Sequence, residues 1–267
     1  MKFLSPAKLN LNLRVISKRN DGYHNLETTF QLINLFDEIT FEESDKSFDI
    51  SCDGLDIELE NNLIFKSLNA ITKQCNLDKG IQIHLKKIIP VGAGLGGGSS
   101  NAATTLIALN KTWGLNLSKE ELAKIGKTLG ADIPIFIYGK NAIATGIGDV
   151  LSDVELRKKK FLLICPNIEV STSKMFMKLK IDDLNPKVQN SFLDTLLREN
   201  KSIEEFYVSN VNDYDLKLSG TGSTLFIEYD NKDELGKIIQ KIPKNWRFFF
   251  CEGLQYSPLK GVLSDGV

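Results

Sequence analysis

Five glycines in seven positions, Gly92 to Gly98, constrain this chain more than any other feature. The run reads Pro90-Val91-Gly92-Ala93-Gly94-Leu95-Gly96-Gly97-Gly98-Ser99-Ser100 and leads into an alanine-rich apolar segment. Glycine reaches positive φ and carries no Cβ, so such a loop curls around a bulky anion with its N–H groups turned inward. Ser99 and Ser100 fall where a helix begins, and a helix N-terminus favours phosphate through its free N–H groups and its dipole. The stretch predicts a di- or triphosphate cradle between a strand (Ile81, Ile83, Leu85) and a helix over 102–109. A flexible linker is disfavoured, because linkers seldom have such apolar flanks.

Two familiar phosphate loops do not fit. Gly92, Gly94 and Gly97 match the dinucleotide fingerprint, which wants an acidic residue about 20 positions on. That distance lands near Leu117, inside a turn, which disfavours a dinucleotide-binding oxidoreductase. No Gly-Lys-Ser/Thr follows the glycines, so the loop is not of the Walker type either.

With 267 residues the chain suits one large domain or two small ones sharing a cleft. A net charge of −1 provides no electrostatic reason to expect nucleic acid or an anionic membrane as partner. The Lys158-Lys159-Lys160 run precedes an apolar strand and reads as its solvated entrance. Cys52, Cys75, Cys165 and Cys251 lack C-x-x-C spacing, and with two histidines a zinc site is not expected. Scattered cysteines suit a reducing cytoplasm. Neither a signal peptide nor a membrane span is expected.

Leu9, Leu11, Leu13 and Val15 alternate with polar residues, the period of a half-buried strand. Further strands are expected over 28–33, 39–41 and 48–50, and extended segments over 133–138 and 143–145. Ile64, Leu68, Ile71 and Cys75 recur at helical spacing behind a cap at Asn61 or Asn62. Ser118-Lys-Glu-Glu121 is a capping box for a helix through Leu129. After Asp153 the pattern restarts: strands over 161–165, 217–218, 224–229 and 246–251, with helices over 173–178, 188–208 and 232–242. Mixed order with few β-helix-β repeats indicates an α+β fold with mixed sheets and helices around a central cleft. The boundary falls near 153–160, separating units 1–155 and 156–267.

Beyond the glycine loop the chain carries Pro6-Ala-Lys-Leu-Asn-Leu11, Asp21-Gly-Tyr-His-Asn-Leu26, Gly130-Ala-Asp-Ile-Pro-Ile-Phe136 and Leu218-Ser-Gly-Thr-Gly-Ser223. The form P-x-G-x-G-L-G-G-G-S-S resembles the phosphate loop of the GHMP kinases. The other motifs, in this order, resemble the branch whose acceptor is a cytidine-bearing polyol; the likeness spans about residues 3 to 263. It implies a two-domain α+β kinase that uses ATP with Mg²⁺, with no metal ligand assigned. A monomer or homodimer is expected. Another small-alcohol kinase of the superfamily, for homoserine or mevalonate, is the alternative.

The resemblance assigns roles residue by residue. Lys8 sits on the polar side of its strand, where a lysine is ordinarily a solvated charge; the likeness makes it the catalytic lysine. Asp132, by its spacing a turn or helix-end residue, becomes the base that takes the proton from the acceptor hydroxyl. Asn10 is matched to a polyol contact. Tyr23 is expected to stack on the cytosine and His24 to hydrogen-bond its edge, with Phe176 closing a sandwich against Tyr23. Residues 90–100 hold ATP, with Asn62, Leu63 and Lys87 near the adenine. Gly220 and Gly222 form a second glycine loop over phosphates or substrate. His84 has no motif support and reads as a polar strand position.

Two departures stand out. Asn101 occupies a position where aspartate is usual, which removes a helix-start charge and bears on Mg²⁺ handling. Residues 186–196 lack the usual N-D-hydrophobic-E pattern, although a helix is still expected.

Overall fold

The alternating N-terminal segment forms β1 (Lys2–Lys18), paired antiparallel with β2 (His24–Ser44). The computed structural model describes residues 1–45, 47–53, 58–180 and 187–264. The strands expected over 28–33 and 39–41 are one element, because β2 pairs with β1 along nearly all its length. Register shifts at Pro6/Ala7 and Asn10/Asn12 bracket Lys8 and Asn10. Such bulges re-aim side chains beside sites.

The segment from β3 (Phe48–Asp53) through α1 (Leu63–Cys75), β4 (Gly80–Lys86), α2 (Gly97–Thr112), α3 (Lys119–Leu129) and α4 (Ile133–Tyr138) builds the N-terminal half. Asn62 caps α1 by accepting from the Ile64 N–H at 2.9 Å, and Ser118 and Glu121 cap α3 reciprocally. α2 is buried on nearly every side from Ser100 to Leu109, as its all-round apolar sequence demands. Residues 133–138, expected to be extended, are helical. Pro134 stands at the helix start, and Gly139, at φ 76°, ends it by donating to the Ile135 carbonyl. A short apolar run does not distinguish strand from helix, and that punctuation decided it here.

β5 (Ala142–Thr145) and β6 (Val150–Asp153) form an outlying antiparallel pair on β2. The C-terminal half holds β7 (Lys160–Cys165), α5 (Thr172–Lys178), α6 (Leu193–Glu199), α7 (Lys201–Val208), β8 (Lys217–Leu218), β9 (Leu225–Tyr229), α8 (Gly236–Lys241), β10 (Arg247–Leu254) and α9 (Lys260–Ser264). The helix expected over 188–208 is two, broken at Asn200 (φ −138°). That expected over 232–242 begins as a 3-10 turn, Lys232–Leu235. Pro186 of the atypical segment lies outside the described residues. The lysine run enters β7 solvated, with Lys158 paired to Glu252 and Lys159 to Glu228.

β10 joins the halves, pairing with β7 over Arg247–Glu252 and with β2 at Gly253 and Leu254. A shared core of Ala7, Leu9, Ile33, Ala93, Leu95, Phe161 and Phe226 lies between two larger ones. The outer edge of β1 is covered: Lys8 N–H donates to Leu95, Asn10 N–H to Ser219 Oγ, Leu13 N–H to Gln189 and Val15 N–H to Ser191 Oγ. The first of these is the glycine loop and the others belong to the C-terminal half. An edge strand thus becomes the floor on which both halves meet. All four cysteines are free thiols, and burial pushes Cys165 to about 11 and Cys251 to about 12.

Candidate active site

The glycine loop is tied down from behind. The Gly92 carbonyl accepts from Val170 N–H at 2.9 Å and the Ala93 carbonyl from Thr224 N–H at 3.1 Å. The Gly94 carbonyl accepts from Lys8 Nζ and Ser219 Oγ, each at 3.0 Å, and the Leu95 carbonyl from Lys8 N–H at 3.0 Å. With four successive carbonyls anchored, Gly96 to Ser99 at the start of α2 open onto a cleft of about 710 Å³. Gly96 is the helix cap and supplies no side-chain oxygen. The first-turn N–H groups of α2 remain available to an anion. A Cβ on Gly94 would stand 2.3 Å from the Ser219 carbonyl oxygen, so the two glycine loops cross in backbone contact.

Lys8 is buried, with its side chain 3% exposed, unlike the solvated charge that a lysine on the polar side of a strand ordinarily is. Strand β1 is covered by sheet on one side and by the loop and α2 on the other, so even its polar positions lie inside. The Lys8 ammonium donates to Asn10 Oδ1 at 2.5 Å and to the Gly94 carbonyl, and stands 3.5 Å from Asp132 Oδ2. Asn10 Nδ2 donates in turn to Thr28 Oγ1 at 2.7 Å. Asp132 occupies the cap position of α4 without using its carboxylate as a cap, and that side chain is 40% exposed to the cleft. A buried ammonium and an open carboxylate therefore face the same space beside the glycine loop.

Lys87 and Leu63 stand beside Gly97 and Gly98, and Asn62 lines the same cleft. The Lys87 ammonium pairs with the fully buried Asp37. Burial pushes the Lys87 pKa down, and Asp37 beside it pulls it back up. The Ile88 and Ile89 N–H groups donate to Asp37 Oδ1 at 2.7 and 2.8 Å, and Asn101 Nδ2 donates to Asp37 Oδ2 at 2.9 Å. One carboxylate thus anchors both the entrance to the glycine loop and the second turn of α2. The Asn101 amide also donates to Ser5 Oγ at 3.0 Å, so it serves this anchor.

Phe176, also in the lining, packs edge-on to Phe192 at 4.8 Å and lies 5.3 Å from the ring of His24, which itself is outside the lining. Burial, helped by Lys18, lowers the His24 pKa and favours the neutral imidazole. Tyr23 is 61% exposed and stands outside the cleft lining. The ring brought to Phe176 is therefore that of His24, which differs from the expected Tyr23–Phe176 sandwich. Tyr23 sits in the turn before β2, whereas His24 is the first residue held in register by pairing with Lys18.

Of the residues singled out from sequence, Lys8, Asn10, Asn62, Lys87, Asp132, Phe176, Gly220 and most of 90–99 line one cleft. Leu95 and Ser100 turn into the interior, the latter against Ser5 Oγ at 2.8 Å, and Gly222 stands behind Gly94. Thr28, Glu169, Thr172 and Thr221 also line the cleft, with the two latter hydroxyls 3.2 Å apart. Nothing local marks Thr28, Glu169 or Thr172 as site residues. Only the Thr221 position, inside Ser219-Gly-Thr-Gly222, carried a signal.

Residues 62–140 match the model of the GHMP kinases N terminal domain. The 4-diphosphocytidyl-2-C-methyl-D-erythritol kinase of Marinomonas sp. is 39% identical, covering 100% of this chain and 92% of its own length. That of Pseudoalteromonas translucida is 38% identical, covering 96% and 93%. A crystal structure of 4-(cytidine 5'-diphospho)-2C-methyl-D-erythritol kinase superposes with a TM-score of 0.82 at 27% identity, covering 95% of this chain and 99% of that one. A mevalonate kinase structure shares the fold, with a TM-score of 0.68 at 16% identity, 95% and 99% covered. Full-length likeness at this level, together with the loop, places the chain in the 4-diphosphocytidyl-2-C-methyl-D-erythritol kinase family of the GHMP kinases.

Proposed function

We propose that this chain transfers the γ-phosphoryl group of ATP to the 2-hydroxyl of 4-diphosphocytidyl-2-C-methyl-D-erythritol, a step of non-mevalonate isoprenoid precursor biosynthesis. The observation that carries the reading is the Lys8–Asp132 pair, 3.5 Å apart, at the mouth of the glycine loop. In the proposed reaction Asp132 accepts the hydroxyl proton as the oxygen attacks phosphorus. Lys8 orients that oxygen and offsets charge on the transferring group, and ADP leaves. The N–H groups of the loop and of the start of α2 hold the ATP phosphates, with Asn62 and Lys87 at the adenine end.

The cleft also suits Mg²⁺ carried in on the nucleotide. Asp132, Glu169 and Ser99 line it, and among the described residues no cluster of three or more acidic, Cys or His side chains stands ready for a bare ion. Mg²⁺ keeps waters and phosphate oxygens and takes only one or two carboxylates, which fits this donor set. Such an ion would supply charge neutralisation between the phosphates. We also propose two units, 1–155 and 156–267, a cytoplasmic location and a monomer or homodimer. Among the described residues no helix is long and apolar enough to cross a membrane.

Purified protein is expected to release ADP only when ATP, Mg²⁺ and the cytidine-bearing polyol are all present, in a coupled assay across a panel of alcohols. Equal turnover of homoserine or mevalonate would sink the substrate assignment and leave the kinase intact.

The cytosine is proposed to lie against Phe176, with neutral His24 at its edge and Tyr23 closing from outside. Stacking on an aromatic ring is worth about 1–3 kcal/mol per base. Phe176→Ala should raise the KM for the cytidyl substrate roughly ten- to a hundredfold, leaving that for ATP nearly unchanged. Titrating Phe176→Ala and Tyr23→Ala with each substrate checks this. Loss of ATP affinity instead would mean the two pockets are exchanged.

A further inference from the structure

The Ser219-Gly-Thr-Gly222 turn contributes a fully buried hydroxyl, that of Ser219, which the proposed reaction leaves unused. Ser219 is 0% exposed. Its hydroxyl accepts from Asn10 N–H at 3.2 Å and donates to the Gly94 carbonyl at 3.0 Å. Asn10 and Gly94 are the two residues that hold the Lys8 ammonium, through Asn10 Oδ1 and the Gly94 carbonyl. A carbonyl oxygen has two lone pairs, and Gly94 commits one to Ser219 and one to Lys8. The hydroxyl thus fixes both supports of the ammonium while making no hydrogen bond to Lys8 and standing outside the cleft lining itself.

We infer that Ser219 is a positioning residue: its hydroxyl ties the C-terminal half to Asn10 and Gly94 and so sets where the Lys8 ammonium stands relative to Asp132. Without it the Gly94 carbonyl has a lone pair to spare and the ammonium lies within reach of it. The Asn10 N–H loses its acceptor inside the protein, and a buried donor left unpaired pulls the backbone toward a new partner. Both changes draw the ammonium toward the loop and away from the acceptor hydroxyl. Displacements near 1 Å in reacting geometry can cost about 10²-fold in rate. The loop keeps its anchors at Val170 and Thr224, which hold the Gly92 and Ala93 carbonyls. The inference rests on the phosphoryl-transfer reading above.

The test is steady-state kinetics of Ser219→Ala, Ser219→Thr and Ser219→Cys beside the wild type. Wild-type turnover is read first, on whichever alcohol releases ADP. A wrong substrate then overturns the reading above and leaves the Ser219 comparison intact. Ser219→Ala should lower kcat about ten- to a hundredfold with both KM values within about threefold of wild type, the pattern of a loss confined to the transition state. Ser219→Thr keeps the hydroxyl and should recover most of that kcat. Ser219→Cys, a weaker donor, should fall between, and it decides the matter if the alanine variant does not fold. Wild-type kcat in the alanine or cysteine variant overturns the inference. So does an equal loss in the alanine and threonine variants, or a rise in KM for ATP with kcat unchanged.

Discussion

Asp132→Asn is expected to lower kcat by about 10²-fold or more, the scale of lost general-base assistance. The change preserves the shape of the side chain and removes its charge and its capacity to take a proton. Asp132 makes no capping hydrogen bond to α4, so the helix loses no support. Its charged neighbour Lys8 keeps two other acceptors, Asn10 Oδ1 and the Gly94 carbonyl, so the ammonium is not left unpaired. Melting temperature and KM for ATP should therefore stay near wild type while turnover collapses. Calorimetry and a coupled ADP assay on one preparation check both halves of this expectation. Full turnover by the asparagine variant would refute the base role and leave Lys8 to orient the acceptor alone.

Gly94→Ala is expected to destroy ATP binding, with an apparent Kd raised by about 10²-fold or more, a loss of roughly 3 kcal/mol. Gly94 has φ +75°, which a side chain resists by about 1–2 kcal/mol. Its Cβ would also stand 2.3 Å from the Ser219 carbonyl oxygen and 2.9 Å from that of Gly222. Both obstacles are backbone, so relief requires the two glycine loops to part. Parting them pulls the Gly94 carbonyl from Lys8 and Ser219 and releases the loop that presents its N–H groups. Gly22→Ala is the control: φ is +86° there too, but nothing lies within 4 Å of the new Cβ. It should cost some stability and no ATP affinity. ATP titrations of the two variants decide; normal binding by Gly94→Ala would show that the loops need not touch.

The comparison between sequence and structure is uneven in an instructive way. The caps at Asn62 and Ser118 were readable because capping is a contact between residues two or three positions apart. The 133–138 helix was misread because six apolar residues are too few to display a period, even with Pro134 and Gly139 marking its ends. The burial of Lys8 was not legible from its strand, because alternation reports one covered face, and the second cover on β1 comes from residues about 90 and 210 positions away. Asn101 drew attention as a missing helix-start charge. Its amide instead serves Asp37, 64 positions distant, which no local pattern announces.

What the sequence determined by itself was whatever depends on neighbours along the chain. The glycine run fixes a loop that only backbone N–H groups can line, period-two alternation fixes β1, and the quoted motifs name the kinase family. The tertiary structure decided which groups those elements show to one another. It turned the loop carbonyls 92–95 onto Val170, Thr224, Lys8 and Ser219, which under the proposed function leaves the N–H groups for phosphate. It set His24 rather than Tyr23 against Phe176. It also buried the Lys8 ammonium among three acceptors contributed by a strand, a loop and a helix cap. The reason is physical: a buried charge or donor must find its partner wherever the packed chain supplies one, and that partner's distance along the sequence carries no periodicity to read.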